Sequence, residues 1–171
     1  MAFQFSKMKQ SQIYHTIRKL NKLPAFLQTF MKSFFIGRAV PFVGTSGLRF
    51  EKTTTHEWMA SIPNSPKVRN HLGQLHACGM ILLAESIAIL IVAMNLPDDK
   101  LPLVKNINAS FVKRSTGGLR GIVRLTDQQI KFIQSSEKGE LPLEVEILDR
   151  AEIQPIIITV TAVWIPKKRK S

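Results

Sequence analysis

The segment from Gly79 to Leu96 constrains the fold most, because it is almost continuously apolar yet contains Glu85 and Ser86. It belongs to a predicted helix over about residues 75–95, the longest in the chain, which ends before Pro97 and the acidic pair that follows. Nearly every face of this helix is apolar, so protein must surround it. The segment is at the short limit for crossing a membrane and contains a carboxylate, which favours a buried core helix.

The chain after this helix has the pattern of β-strands. Residues 141–148 alternate between apolar and polar side chains, and residues 156–165 form a β-branched run typical of a central strand. Further strands are predicted over 103–115, 119–126 and 129–134, with a tight turn at Thr116–Gly118. A sheet that buries a helix on all sides has to curl around it. We therefore predict an α+β hotdog fold, a curved antiparallel sheet wrapped around one long central helix.

The region before the central helix predicts a helical extension and the first strands. Residues 8–38 have the periodicity of one or two amphipathic helices, with Pro24 starting the second. Residues 40–47 read as a turn-rich connector, and residues 48–63 as strands or one bent strand. The predicted organisation is a basic helical N-terminal extension (1–39), a hotdog domain (40–166) and a basic tail (167–171).

The net charge of +12 belongs to the ends of the chain. The first 38 residues contain seven Lys and Arg and no acid, and Lys167–Lys170 add four more, whereas residues 39–166 hold 13 basic and 12 acidic residues. Basic ends of this kind either maintain solubility or attract phosphates and anionic lipid. Peripheral membrane contact by the N-terminus is one expectation.

Several classes of protein are disfavoured by the sequence. Zinc-finger spacing, an aromatic RNA-binding signature and a clean helix-turn-helix are all missing, so nucleic acid is not the expected partner. The apolar pieces near the N-terminus are interrupted, which argues against a secretory signal. A single cysteine, Cys78, rules out an internal disulfide and fits a reducing compartment. We expect a cytoplasmic protein.

One motif carries chemistry. The stretch "NHLGQLHACGMILLAE" (residues 70–85) resembles the signature of hotdog-fold acyl-CoA thioesterases of the phenylacetate-degradation type. In that signature an asparagine and a glycine precede His-Gly-Gly, and an apolar run ends in Leu-Ala-Asp or Leu-Ala-Glu. The stretches "VPFVGTSGLRF" and "VRNHLGQLHA" resemble still more closely a poorly characterised branch of that superfamily. The resemblance covers about residues 40–165 and implies hydrolysis of an acyl-CoA or acyl-carrier-protein thioester.

The motif assigns positions residue by residue. Asn70 and Gly73 hold the first two places, His76 holds the histidine, and Glu85 holds the place of the catalytic carboxylate. The departure is that Ala77–Cys78 replaces Gly-Gly, which alters how closely substrate can approach the backbone.

These residue types suit thioester hydrolysis. A helix N-terminus offers free N–H groups, so the N–H of Ala77 is the candidate oxyanion donor. His76 either polarises the thioester oxygen or caps the helix, and Asn70 either holds the catalytic water or braces its loop. Glu85 is the candidate general base or nucleophile, because apolar surroundings raise the pKa of a carboxyl group; the alternative is a buried carboxylate satisfied by a loop N–H.

Substrate contacts are expected from both sides of the motif. Gly73 and Cys78 are candidate substrate-binding residues, and packing rather than nucleophilic attack is the expected role of a cysteine inside an apolar helix. Coenzyme A carries several phosphates, and Lys113, Arg114 and Arg120 flank the Thr116–Gly118 turn as candidates to bind them. A solvated charged face is the alternative for those three.

Helix geometry predicts a shared site. Ala77 and Glu85 are eight residues apart, which is about 12 Å along a helix axis, so one chain cannot supply both groups to one substrate. Two central helices packed antiparallel bring the start of one beside the middle of the other. We therefore expect an obligate homodimer or a dimer of dimers, as the family resemblance also implies.

Two other functions stay open. Hydroxyacyl dehydratases of the same fold use a His and a carboxylate, and His71 lies fourteen residues before Glu85, but their Pro-Gly elements are missing here. A non-catalytic acyl-CoA-binding module is the other alternative. His71, His76, Cys78 and Glu85 match no established zinc spacing, so we expect neither a metal nor another cofactor.

Overall fold

The computed structural model describes residues 10–167, so the start of the N-terminal extension and all but Lys167 of the predicted basic tail lie outside the described residues. Its elements in chain order are α1 (Gln12–Leu20), α2 (Ala25–Ala39), α3 (Pro41–Ser46), β1 (Arg49–Thr53), β2 (Glu57–Ile62), a 3₁₀ turn (Pro66–Val68), α4 (Ala77–Asn95), β3 (Lys100–Phe111), β4 (Leu119–Arg124), α5 (Asp127–Ser135), β5 (Gly139–Asp149) and β6 (Ile156–Pro166).

The six strands form one antiparallel sheet in the order β1-β2-β4-β5-β6-β3. Helix α4 contacts every strand from β2 to β6, which a flat sheet could not achieve with a single helix. The sheet therefore curves around α4, and the predicted α+β hotdog fold is confirmed.

Helix α4 is the centre of the hydrophobic core. His76 caps the start of the helix, and the helix ends at Asn95, two residues before Pro97. Leu83 and Ile87 press against Gly121 of β4, where an added Cβ would lie 3.0 Å from Leu83 and 3.1 Å from Ile87, so glycine allows this close approach. The helix is apolar and long enough to cross a membrane, but 61% of its apolar window is buried inside the fold, as in a core helix.

Two predicted local structures were wrong. Residues 129–134, predicted as a strand, belong to helix α5, which starts at a capping box in which Thr126 and Gln129 bond each other's backbone N–H. The connector over residues 40–47 contains helix α3, which begins with Pro41 and is capped after Ser46 by Gly47 with a left-handed φ of 75°.

The N-terminal region forms two helices, as predicted, and α2 packs against β1. Ile17 and Ile36 join the core. Lys32 is also buried, and its Nζ donates to the backbone oxygen of Glu51 at 2.7 Å and to Oδ1 of Asn21 at 3.4 Å. The lysine thus ties α2 to the edge strand β1.

The two edges of the sheet differ. The short strand β1 lies under α2, whereas the twelve-residue β3 pairs along one side with β6 and with no other strand among residues 10–167. Leu101, Leu103 and Phe111 of β3 are partly exposed. A long, open and partly apolar edge is normally covered by another element or chain.

Candidate active site

The first turn of α4 leaves one backbone donor free. Nδ1 of His76 accepts a hydrogen bond from the N–H of Cys78 at 3.1 Å, and the backbone oxygen of His76 accepts from Gly79 at 2.8 Å. Among residues 10–167 the N–H of Ala77 has no hydrogen-bond acceptor. An unpaired N–H at a helix start, where the helix dipole is positive, is suited to bind an oxyanion.

The loop before α4 is a tight hairpin closed by Asn70. Oδ1 of Asn70 accepts from the N–H groups of Leu72 at 2.9 Å and Gln74 at 3.1 Å. Gly73 turns the chain with a φ of 73°, and its N–H donates to the backbone oxygen of Asn70 at 3.0 Å. The side-chain and backbone oxygens of Asn70 thus both brace the loop. His71, the next residue, is exposed.

Glu85 is half-buried and unpaired. Its carboxylate makes no hydrogen bond and no ion pair among the described residues, and burial raises its pKa above the usual range of a glutamate. It lies on a stripe of α4 with Cys78, Ile81 and Ile89 that the rest of the fold leaves partly uncovered. Cys78 is exposed at the start of this stripe, so the sequence-based expectation that it packs in the core is wrong for the isolated chain.

A cavity of about 170 Å³ opens at the start of α4. Its walls include His76 and Cys78 from the motif, Phe42 and Ser46 from α3, and Lys67 and Arg69 from the loop before the motif. Of these residues, only His76 and Cys78 were expected from the sequence. Lys67 and Arg69, three and one residues before Asn70, form a basic pair in the sequence that could have indicated the wall contributed by the loop. No feature of the sequence indicated that α3 lies beside this cavity.

The candidate phosphate-binding residues are distributed over two surfaces. Lys113 and Arg114 are exposed in the segment after β3. Arg120 lies on the face of β4 opposite α4, where its guanidinium pairs with Glu152 at 3.2 Å. The turn at Thr116–Gly118 contacts the end of β2, since an added Cβ on Gly118 would lie 2.8 Å from the backbone oxygen of Ile62.

The structure does not bring all the predicted site residues together in one chain. Asn70, Gly73, His76, Ala77 and Cys78 cluster at the start of α4, whereas Glu85 is about 12 Å farther along the same helix. Glu85 does not line the cavity at the helix start. Within residues 10–167, no three His, Cys, Asp or Glu side chains are grouped where they could hold a metal ion.

Comparison with protein families gives a match over residues 29–165 to a domain of unknown function, DUF4442. The chain belongs to the DUF4442 family. The matched range spans the whole sheet, α4 and most of α2. No curated protein matches the sequence.

Solved structures share the fold at low sequence identity. A Pseudomonas aeruginosa protein of unknown function, described as a probable thioesterase, is 22% identical, with a TM-score of 0.71 over 85% of this chain and 97% of its own. A Haemophilus influenzae thioesterase is 16% identical, with a TM-score of 0.62 over 75% of this chain and 87% of its own. A mutant thioesterase from Staphylococcus aureus is 18% identical, with a TM-score of 0.63 over 74% of this chain and 100% of its own. These identities establish a shared fold.

Proposed function

We propose that this DUF4442 protein hydrolyses acyl thioesters, carried by coenzyme A or an acyl-carrier protein, at a site formed by two copies of the chain in the cytoplasm. The observation that supports this most is Glu85, an unpaired and half-buried carboxylate on a helix face that its own fold leaves open. Buried carboxylates without a partner are rare in structural roles. The thioesterases among the solved structures of this fold support the same reaction.

The proposed reaction uses one group from each copy. Glu85 of one protomer removes a proton from a water molecule, and the water oxygen forms a bond to the thioester carbonyl carbon. The negative charge that develops on the carbonyl oxygen accepts a hydrogen bond from the free N–H of Ala77 in the second protomer. The carbon–sulfur bond then breaks, the leaving thiolate takes the proton from Glu85 to become the free thiol, and the carboxylic acid leaves.

The other motif residues shape the second protomer's half of the site. The Asn70 hairpin holds the approach to the start of α4, with Gly73 at its turn and Cys78 on the cavity wall. His76 fixes the first turn through Nδ1, while its Nε2 has no partner among the described residues and is available to the thioester oxygen.

We expect basic side chains to bind the phosphates of coenzyme A. Lys67 lines the cavity and makes no ion pair among residues 10–167, so it joins Lys113 and Arg114 as a candidate. Arg120 is a weaker candidate, because Glu152 already neutralises part of its charge.

The open edge of β3 supports the two-copy arrangement. Pairing β3 with its equivalent in a second chain would extend the sheet and cover its apolar side chains. It would also place the uncovered stripes of the two α4 helices against each other. An Ile89→Lys substitution puts a charge into that contact and should convert dimer to monomer by analytical ultracentrifugation. The control is Ile157→Lys, at a strand position that is already 57% exposed.

The activity is tested by thiol release from a panel of acyl-CoA substrates. Glu85→Gln should lower kcat by a factor of about 10²–10⁴, the usual contribution of a general base. Glu144→Gln, at an exposed carboxylate on β5, is the matched control and should leave kcat unchanged. Tight acyl-CoA binding without turnover by the unsubstituted protein would instead identify a binding module, and the proposal would fail.

A further inference from the structure

Helix α2 turns a lysine inward and phenylalanines outward. Lys32 is 1% exposed, whereas Phe26, Phe30 and Phe34 are 80%, 65% and 54% exposed. These three recur every four residues, so they form one stripe on the outer side of the helix, and the rings of Phe30 and Phe34 stack at 6.4 Å between centroids. Packing in the protein's own core cannot explain this pattern, because the opposite face of α2 is the one that packs against the core.

The exposed stripe is part of a larger surface that includes α3. Phe26, Phe30 and Phe34 line a groove of about 520 Å³ whose other wall includes Leu48 and Arg49. Helix α3 crosses α2 where Gly37 meets Gly44, and Phe42 on α3 is 64% exposed. We call Phe26, Phe30 and Phe34 the aromatic surface. Contiguous exposed apolar groups of this size usually mark an interaction site.

The charged side chains next to the phenylalanine stripe and in its groove are cations that are unpaired in the described part of the chain. Lys22 and Arg38 lie four residues before and after the phenylalanine stripe, and Arg49 lies in the groove. All three are exposed, and within residues 10–167 none makes an ion pair or a side-chain hydrogen bond. No acid occurs before Glu51 in the sequence. The partner must therefore be both apolar and anionic.

A second copy of the chain fits this surface poorly. A symmetric contact would bring the same cations of both copies together without an acid to neutralise them. An anionic bilayer offers an apolar layer for the rings and phosphates for the basic side chains, which is how interfacial helices bind.

We propose that the aromatic surface docks the protein on anionic phospholipid bilayers. The phenylalanine rings enter the boundary between headgroups and acyl chains, and Lys22, Arg38 and Arg49 contact the lipid phosphates. Docking does not depend on the proposed hydrolase activity. Helix α3 contributes Gly44 to the groove of this surface and Phe42 to the cavity at the start of α4, so the docked protein holds that cavity close to the membrane.

The test measures sedimentation of the full-length protein with vesicles. One set is pure phosphatidylcholine, and the other contains phosphatidylglycerol as an anionic lipid. The variants are Phe26→Ser/Phe30→Ser/Phe34→Ser and Arg38→Glu/Arg49→Glu, and their matched controls are Ile157→Ser and Lys138→Glu, at exposed positions elsewhere. The triple phenylalanine variant keeps every basic residue of both chain ends, so a loss of binding by that variant reports on the aromatic surface itself.

The protein should bind the anionic vesicles much more tightly than the neutral ones. Each surface variant should weaken that binding at least about tenfold, and the controls should match the unsubstituted protein. Some binding should also persist at about 1 M salt, because screening of the charges leaves mainly the contribution of the aromatic rings. The triple variant should lose this remaining binding.

Three results would overturn the proposal. One is absence of binding to anionic vesicles by the unsubstituted protein. Another is unchanged binding by the triple variant, which would assign the attraction to the basic chain ends. The third is a lower oligomeric state of the triple variant in solution with vesicle binding intact, which would make the surface a contact between copies.

Discussion

His76 caps α4 by accepting the N–H of Cys78 on Nδ1 at 3.1 Å, and this contact leaves the N–H of Ala77 as the free donor of the first turn. The cap thus separates two tasks that a helix start can perform. One amide stabilises the helix, and its neighbour remains available to a ligand.

Removal of the free donor should abolish catalysis without disturbing the helix. Ala77 is the first residue of α4, where proline is well tolerated, and His76 before it has an extended backbone with φ −64° and ψ 144°. Ala77→Pro should therefore retain the circular dichroism spectrum and lower kcat about 10²–10³-fold. The matched control is Asp127→Pro at the first position of α5. Full activity of Ala77→Pro would show that this amide does not bind the oxyanion.

His76 can be tested for a role beyond capping. His76→Ala removes the acceptor of the Cys78 N–H and should lower the free energy of unfolding by about 1 kcal/mol, whereas His76→Asn should restore it, because asparagine is a good N-cap. If Nε2 also polarises the thioester, both variants should lower kcat by about tenfold or more. Urea denaturation and steady-state kinetics give the two quantities. A stable and fully active His76→Asn variant would show that the imidazole acts only as a helix cap.

Glu85 should make both activity and stability depend on pH. Burial raises its pKa above the usual 4.5, so the general base gains its charge only as the pH passes the raised value, and kcat should rise through that range. Between 4.5 and the raised pKa the folded protein binds more protons than the unfolded chain, so the free energy of unfolding should fall as the pH rises. Glu85→Gln should flatten the stability profile. If Glu85→Gln and the unsubstituted protein had the same dependence of unfolding free energy on pH, the raised pKa could not belong to Glu85.

Lys32 should produce a stability change of the opposite sign at alkaline pH. Burial lowers its pKa below 10.5, so between the lowered value and 10.5 the folded protein binds fewer protons than the unfolded chain. The free energy of unfolding should therefore rise with pH in this window. Lys32→Met should remove the rise, as followed by thermal unfolding at several pH values, and Lys131→Met on the exposed face of α5 serves as control.

The central helix and the curved sheet were predictable because their signals are local and long. A helix apolar on nearly every face must be enclosed, and strict alternation identified β5. Helix α5 was mistaken for a strand because Ile130 and Phe132 alternate over a short window. The Thr126–Gln129 capping box was the better signal, since it specifies a helix start independently of the apolar pattern.

The candidate site was predictable only where the motif extends. The motif indicated Glu85 and Ala77 as candidates, and helical rise alone indicated that one chain cannot bring them together. The cavity wall from Phe42 and the inward direction of Lys32 depend on how α2 and α3 cross at Gly37 and Gly44. That crossing is a tertiary contact without a local sequence signature.

The most direct test of the shared site mixes two inactive variants. Glu85→Gln and Ala77→Pro chains are unfolded together and refolded, so that half of the dimers contain one chain of each kind. Each mixed dimer has one intact site, in which Glu85 of one chain faces the Ala77 N–H of the other, so activity should return to about a quarter of the unsubstituted level. A mixture as inactive as either variant alone would contradict a site shared between two chains.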